Sequence, residues 1–326
     1  MRAIVVEPGP PDPVLRWQET AAPVPGPPQV LVAVRAAGVN RADLLQARGQ
    51  YPPPPGASEI LGLELAGVVE TCGADVAGWQ TGDRVCALVP GGAYAEKAVV
   101  HHQMLLPLPQ GWSFAEGAAV PEVWYTAFVN LFLEGNLKPG ETALIHAGAS
   151  GVGTAAIQQA RHAGARVFIT AGSEEKCARC RELGADLAVD HKRRDFLADV
   201  LAASNNEGVD LILDPVGGAY LERNIRALRR FGRLVNIGIL GGPAGELDMR
   251  LVLRRRLRII GSTLRSRPLA EQIEITRQFH ERIWPHLASG KLRTVIDRTV
   301  PMPDAAAAHE CLRRNENIGK VILTLE

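Results

Sequence analysis

The chain has 326 residues, 46% of them hydrophobic, with sparse aromatics and frequent glycine and proline. That length supports two domains, and the composition is that of a globular chain rather than a disordered or fibrous one. A formal net charge of +1 leaves no electrostatic footprint for nucleic acid or an anionic membrane, and no uncharged stretch is continuous enough to span a bilayer.

The apolar run at residues 3–6 meets Glu7 and a Pro/Gly cluster at once, so no secretory signal is expected. Five scattered cysteines argue against a disulfide framework. A reduced, cytoplasmic protein is the expectation. Short β-type runs at 3–6, 30–34, 66–70, 84–88 and 95–100, separated by Gly/Pro turns, predict a small barrel. A helix is expected over 121–133. After Lys138-Pro139-Gly140 the pattern becomes regular. Strands are expected at 142–146, 166–171, 187–190, 209–214, 233–238 and 257–261. Helices are expected between them at 152–163, 174–183, 195–203 and 220–230. Such alternation implies parallel βαβ units and one doubly wound sheet of six strands. A long helix (269–287), a strand (294–300), a short helix (303–313) and a last strand (320–325) follow. These lone strands need partners, so the tail is expected to return to the first domain. The organisation predicted is one domain over 1–120, a second over 121–264, and a return to the first domain over 265–326.

The strongest motif joins the strand at 142–146 to a helix through Ala147-Gly148-Ala149-Ser150-Gly151-Val152-Gly153. Gly148 serves the tight turn and Gly153 lets helix and strand approach. The amides of Ser150, Gly151 and Val152 would face a pyrophosphate, where the helix dipole favours negative charge. The Ser150 hydroxyl can donate to a phosphate. A glycine motif alone is weak, but this one lies between a strand and a helix with further βα units behind it.

The end of the second strand decides which nucleotide fits. A carboxylate there suits the two ribose hydroxyls of NADH. This chain has Gly172-Ser173, with Lys176 three residues on and His191-Lys192 closing the next strand. Hydroxyl, ammonium and imidazole suit a 2′-phosphate, so NADPH is the expected cofactor. The competing reading turns Glu174 inward and selects NADH. Cys177 and Cys180 have the spacing of redox and zinc motifs, but a zinc site needs a second pair and thioredoxin-like motifs sit elsewhere in a fold. No function is assigned to them. Arg265 and Arg267 are left as phosphate ligands or salt-bridged surface groups.

Two segments, residues 36–43 (Ala-Ala-Gly-Val-Asn-Arg-Ala-Asp) and 60–67 (Ile-Leu-Gly-Leu-Glu-Leu-Ala-Gly), resemble signatures of the medium-chain dehydrogenases and reductases. With the glycine turn, the resemblance covers nearly the whole chain. It implies a GroES-like β-barrel domain beside the Rossmann sheet. The zinc alcohol dehydrogenases of that superfamily carry a Cys and a His where Asn40 and Leu63 stand, and neither residue replaces thiolate or imidazole on zinc. The four-Cys lobe of a structural zinc is also missing, so no metal site is expected.

Finer matches run through Gln46, Arg48–Ile60, Ile145–Gln158, Thr170–Ser173, Leu264–Arg267 and Asn317–Lys320. They resemble the zinc-free quinone oxidoreductase family, and within it the stress-inducible branch. That group often has a Tyr at the position of His191, so NADPH preference is expected to be weaker or pH-dependent here. The resemblance implies reduction of a quinone or conjugated carbonyl by hydride from NADPH. Asn40 and Tyr51 are assigned as hydrogen-bond donors to the acceptor oxygen, where an oxyanion forms as hydride arrives. Asp43 is read as fixing its loop. Thr126 is expected at the nicotinamide ribose or amide, or bonded to its own helix. Gly238 and Leu264, at two later strand ends, are expected beside the nicotinamide. An enoyl-thioester or 2-alkenal reductase, and a non-enzymatic crystallin-like NADPH binder, remain open. The strand at 257–261 is expected to pair with its copy in a homodimer.

Overall fold

The computed structural model describes residues 1–10 and 12–325; Pro11 and Glu326, which fall inside the expected outer segments, lie outside the described residues. The Cα trace divides into two compact units, Met1–Tyr125 with Arg265–Glu326, and Thr126–Leu264.

In the first unit, strands Arg2–Glu7 and Val14–Glu19 form a hairpin. A seven-strand sheet is centred on Gln29–Val39, which pairs antiparallel with Glu64–Cys72, Lys97–His101 and Lys320–Thr324. The last of these also carries Ile296–Pro301 in parallel register. The two lone strands of the tail therefore find their partners in the first unit. Gln29–Val39 runs far beyond the expected 30–34: Ala36, Ala37, Gly38 and Val39 continue the ladder against Lys320–Thr324. Helices Arg41–Ala47 and Phe114–Ala118 were not expected; each begins with a capping box, Asn40 with Asp43 and Ser113 with Glu116. The expected helix at 269–287 is two helices, Leu269–Arg282 and Trp284–Ala288. Pro285, which has no N–H to donate, sits in the first turn of the second.

The second unit holds six parallel strands in the order Leu187–Asp190, Arg166–Ala171, Thr142–Ile145, Val209–Asp214, Leu228–Asn236, Arg258–Gly261. This is the doubly wound α/β arrangement, with the order reversing beside Thr142–Ile145. Leu144, Phe168, Val189, Phe196, Ile212 and Leu234 form its core with Ile225 and Leu228. Helix Leu221–Ala227 ends earlier than the expected 220–230, since Leu228 already enters the next strand. The expected helix at 121–133 is α-helical only over Pro121–Phe128 and continues as a π-helical turn, Val129–Glu134. Helix Met249–Arg255, capped by Asp248 Oδ1, had no counterpart in the expectations.

Candidate active site and dinucleotide-binding turn

In the first unit a polar network lies at the foot of the central strand. Lys320 and Glu64 are 3% and 0% exposed and form an ion pair of 2.6 Å. Lys320 Nζ also donates to Asn40 Oδ1 at 2.7 Å and to the Val39 carbonyl at 2.8 Å. The Asn40 amide nitrogen donates to Glu64 Oε1 at 2.8 Å. Gly38 makes room for this: a Cβ there would lie 2.2 Å from Glu64 Oε1 and 2.6 Å from the Ala118 carbonyl. Glu64 Oε2 accepts from the Glu122 backbone N–H at 2.8 Å, so the carboxylate stands at the start of helix Pro121–Phe128.

Asn40 is thus committed on both sides of its amide. The expected role as a donor to the acceptor oxygen is corrected: its hydrogens are turned to Glu64 and, at 3.4 Å, to the Gly38 carbonyl. Asp43 is buried and accepts from Asn40 N at 2.7 Å, Gly62 N at 3.2 Å and the Tyr94 hydroxyl at 3.0 Å. It ties both signature segments to Tyr94. Burial raises its carboxyl to about 6, against the pull of these bonds and of Lys320. Glu122 is raised further, to about 8, by burial and then by the neighbouring Glu64; Lys320 and Arg265 oppose the shift.

Tyr51 is half-buried, in the irregular stretch before the prolines. Arg265 holds it. The guanidinium lies 5.3 Å from the Tyr51 ring centroid and donates to the carbonyls of Tyr51 and Pro90 at 3.3 and 2.8 Å and to Gln46 Oε1 at 2.8 Å. Arg265 is therefore neither a phosphate ligand nor a surface ion pair; it is 6% exposed and bound to neutral oxygens of the Tyr51 loop and its neighbours. The phenol is raised by burial and by Glu122, with Arg265 pulling the other way.

In the second unit, Ser150 caps helix Gly151–His162, its Oγ accepting from Gly153 N at 3.0 Å. The hydroxyl hydrogen is not used by that cap. A Cβ on Gly153 would lie 2.4 Å from the carbonyls of Ala147 and Gly148, and one on Gly148 would lie 2.8 Å from Ile169 Cβ. The first-turn amides of Gly151 and Val152 have no partner within the helix, as at any helix start. This cradle fits a pyrophosphate.

Ser173 caps helix Glu174–Glu182 through Lys176 N, 3.3 Å away. The side chains of His191 and Lys192 come within about 4 Å of where a Cβ on Gly172 would stand. Glu174 is turned away: its carboxylate accepts from Arg181 Nη1 at 2.7 Å on the same helix. His191 is half-buried and its imidazole is lowered by burial, which keeps it mostly neutral near pH 7. Cys177 and Cys180 are buried free thiols, the second pushed up to about 12 by burial. Thr126 is half-buried, and its carbonyl accepts from Asn130 Nδ2 at 2.7 Å. Gly238 and Leu264 lie just past the ends of strands Leu228–Asn236 and Arg258–Gly261 rather than in them.

Glu64, Glu122, Lys320 and Tyr94 were given no role from the sequence. Glu64 and Lys320 were visible as charges inside apolar strand patterns, a placement that requires a buried partner. Among the described residues no three His, Cys, Asp or Glu side chains are grouped to hold an ion. With Asn40 and Leu63 at the two positions, and Lys320 already bound to Asn40 and Glu64, this donor set does not fit zinc.

Residues 26–110 match the family of alcohol dehydrogenase GroES-like domains, and residues 151–281 match the family described as zinc-binding dehydrogenase. The quinone oxidoreductase of Rattus norvegicus is 32% identical, over 100% of this chain and 98% of its own. The crystal structure of Escherichia coli quinone oxidoreductase complexed with NADPH superposes with a TM-score of 0.89 at 27% identity, over 99% of both chains. The CurK enoyl reductase superposes with a TM-score of 0.84 at 28% identity, over 96% of this chain and 95% of that one. The spectinabilin polyketide synthase protein NorB of Streptomyces orinoci is 38% identical, but this chain spans only 14% of it. The chain belongs to the medium-chain dehydrogenase/reductase superfamily and, within it, to the quinone oxidoreductase family.

Proposed function

We propose that this chain is an NADPH-dependent quinone reductase that works without a metal. The observation that carries this reading is the Lys320–Asn40–Glu64 cluster, in which an ammonium is bound where zinc-dependent relatives gather metal ligands. When bound, the reduced nicotinamide supplies a hydride. The amides of Gly151 and Val152 and the Ser150 hydroxyl bind the pyrophosphate in the cradle that Gly148 and Gly153 keep open. Ser173, Lys176 and His191, with Lys192, receive the 2′-phosphate, and the outward turn of Glu174 supports that choice over NADH. Thr126, Gly238 and Leu264 serve the nicotinamide end.

The first and last segments, 1–120 and 265–326, hold the acceptor, and 121–264 hold the nucleotide. Tyr51 donates its hydroxyl hydrogen to the acceptor oxygen, where negative charge grows as hydride arrives. Asn40 and Asp43 act behind it as positioning residues. The substrate is a small molecule, a quinone or conjugated carbonyl, with no nucleic acid or membrane partner. Among the described residues no helix is long and apolar enough to cross a membrane. Five free thiols suit a reducing, cytoplasmic setting. The edge strand Arg258–Gly261, with Ile259 44% exposed, pairs with its copy in a homodimer.

The test is reduced-nicotinamide consumption across quinones, crotonyl thioesters and 2-alkenals, with the dissociation constants of NADPH and NADH. Quinones turn over fastest and NADPH binds tighter under this reading. Preference for the thioester would favour the second reading, enoyl reduction, which the similarity to CurK supports.

A further inference from the structure

The hydrogen bonds of the buried Asp43 continue away from the Lys320 cluster. Asp43 Oδ2 accepts the Tyr94 hydroxyl at 3.0 Å, and the oxygen of that hydroxyl lies 3.4 Å from His309 Nε2. The Tyr94 and His309 rings meet edge to face, with centroids 5.9 Å apart at 64°. The Tyr94 hydrogen is committed to Asp43, so His309 must donate its Nε2–H to the Tyr94 oxygen. In a neutral imidazole this leaves the lone pair on Nδ1. Burial lowers His309 to about 4, so the ring is neutral at pH 7. Among the described residues no hydrogen bond reaches His309 Nδ1. His309 lies on helix Ala305–Arg313 and lines a cavity of about 280 Å³ in the first unit. With Nε2 turned to Tyr94, the rest of the ring, Nδ1 included, is left to meet that space. The walls are Pro13 and Leu15 of the hairpin, Leu44 and Ala47 of helix Arg41–Ala47, and Ala306. The charged lining residues are paired with one another. Asp12 accepts from Arg48 at 2.8 Å and from Arg313 at 2.7 Å, and Glu310 pairs with Arg313. Two guanidiniums and two carboxylates give that rim no net charge. His309 is the polar lining residue that stands outside these ion pairs.

We propose that this cavity is a second ligand site, which takes a small, neutral, hydroxylated aromatic whose O–H donates to His309 Nδ1. The walls call for a ring. They are aliphatic side chains and a proline, and an apolar space of about 150 Å³ already admits benzene. The free lone pair calls for a donor, since a half-buried acceptor without one is unfavourable. The rim calls for neutrality, because an added charge would find each charged group already paired. A hydroquinone, a planar ring with two hydroxyls, has all three properties, and it is the product under the quinone-reductase reading. The choice of ligand rests on that reading; the site does not. Binding there is felt at Asp43. A donor on Nδ1 makes Nε2–H a stronger donor to Tyr94, and Tyr94 in turn a stronger donor to Asp43. Asp43 caps the helix that carries Gln46, and Gln46 accepts from the Arg265 that holds Tyr51. A product molecule at His309 therefore bears on the acceptor loop without occupying it.

The test is nitrogen magnetic resonance of the whole protein, with its histidines isotopically labelled, titrated with benzene-1,4-diol. His309 is assigned by the signals missing from His309→Phe, which keeps a ring and removes the acceptor. Ala306→Leu fills the cavity from an exposed helix position and leaves His309 in place. In the wild type the Nδ1 resonance is expected to move upfield as the diol binds, with a dissociation constant of about 1 mM or tighter, the range open to a single-ring ligand. In Ala306→Leu the same shift is expected to need about tenfold more diol. The ring without a donor, 1,4-dimethoxybenzene, is expected to bind the wild type about tenfold more weakly, the scale of one lost hydrogen bond. A His309 signal that stays unmoved at about 10 mM diol overturns the proposal. So does a titration unchanged in Ala306→Leu, or dimethoxybenzene binding as tightly as the diol. The imidazole reports without cofactor or turnover. If quinones are reduced while His309 does not respond, this site fails and the reductase reading stands; if His309 responds while no quinone is reduced, the site stands and that reading fails.

Discussion

Removing Lys320 leaves Glu64 as an uncompensated buried anion. Lys320→Met is therefore expected to destabilise the fold by about 3–5 kcal/mol, and the added Glu64→Gln change should recover part of that loss. Urea unfolding of the single and double variants measures both effects; an additive result would show that the pair is not coupled. Arg265 acts on function more than on stability. Arg265→Lys keeps a charge but cannot reach the carbonyls of Pro90 and Tyr51 and Gln46 together. Quinone turnover is expected to fall by about tenfold, roughly the worth of one hydrogen bond to a charged group, with NADPH affinity unchanged. At this scale the sequence was only partly legible. Asn40 and Asp43 stood out because they lie in the signature segment 36–43; the capping box they form was not expected. Lys320 did not, because Asn40 and Lys320 are 280 positions apart and only the strand pairing brings them together. The donor role first given to Asn40 failed for the same reason.

The parallel sheet was readable almost strand for strand, since strands buried on both faces are short apolar runs and the helices between them have their own period. The barrel unit was read less fully: each of its expected strands falls on an observed one, but Val14–Glu19, Leu105–Pro107 and the two short helices were not expected. Its three-residue strand Leu105–Pro107 carries no period, and the two short helices depend on caps more than on an apolar face. The glycine turn sits where local and global signals agree, and it supports a prediction. Ser150→Ala removes the cap of helix Gly151–His162 and is expected to cost about 1 kcal/mol by thermal unfolding, with weaker NADPH binding by fluorescence titration. A loss of stability without a loss of affinity would confine Ser150 to capping.

For the whole molecule, burial sets a pH dependence of stability with opposing parts. His146, between Thr170 and Asn224, is lowered to about 3, and His309 to about 4, both by burial. The unfolded chain takes up those protons below about 6.5 and the folded chain does not, so their support is lost as pH falls from there. Asp43 and Glu122 run the other way, because the folded chain keeps their protons to about 6 and 8. The two pairs offset each other between about pH 4.5 and 6. Glu122 alone acts between about 6.5 and 8, so stability is expected to decline there as pH rises, and Glu122→Gln should flatten that decline in urea titrations. Light scattering should find a dimer, and Ile259→Lys on the exposed edge strand should give monomer.

Reduction by nicotinamide hydride without a cation is the central claim. Its most direct test is NADPH oxidation with a benzoquinone by protein stripped with a strong chelator, with the metal content measured on the same sample. The expected result is full turnover with no stoichiometric metal. Activity that disappears on stripping and returns with zinc would contradict it.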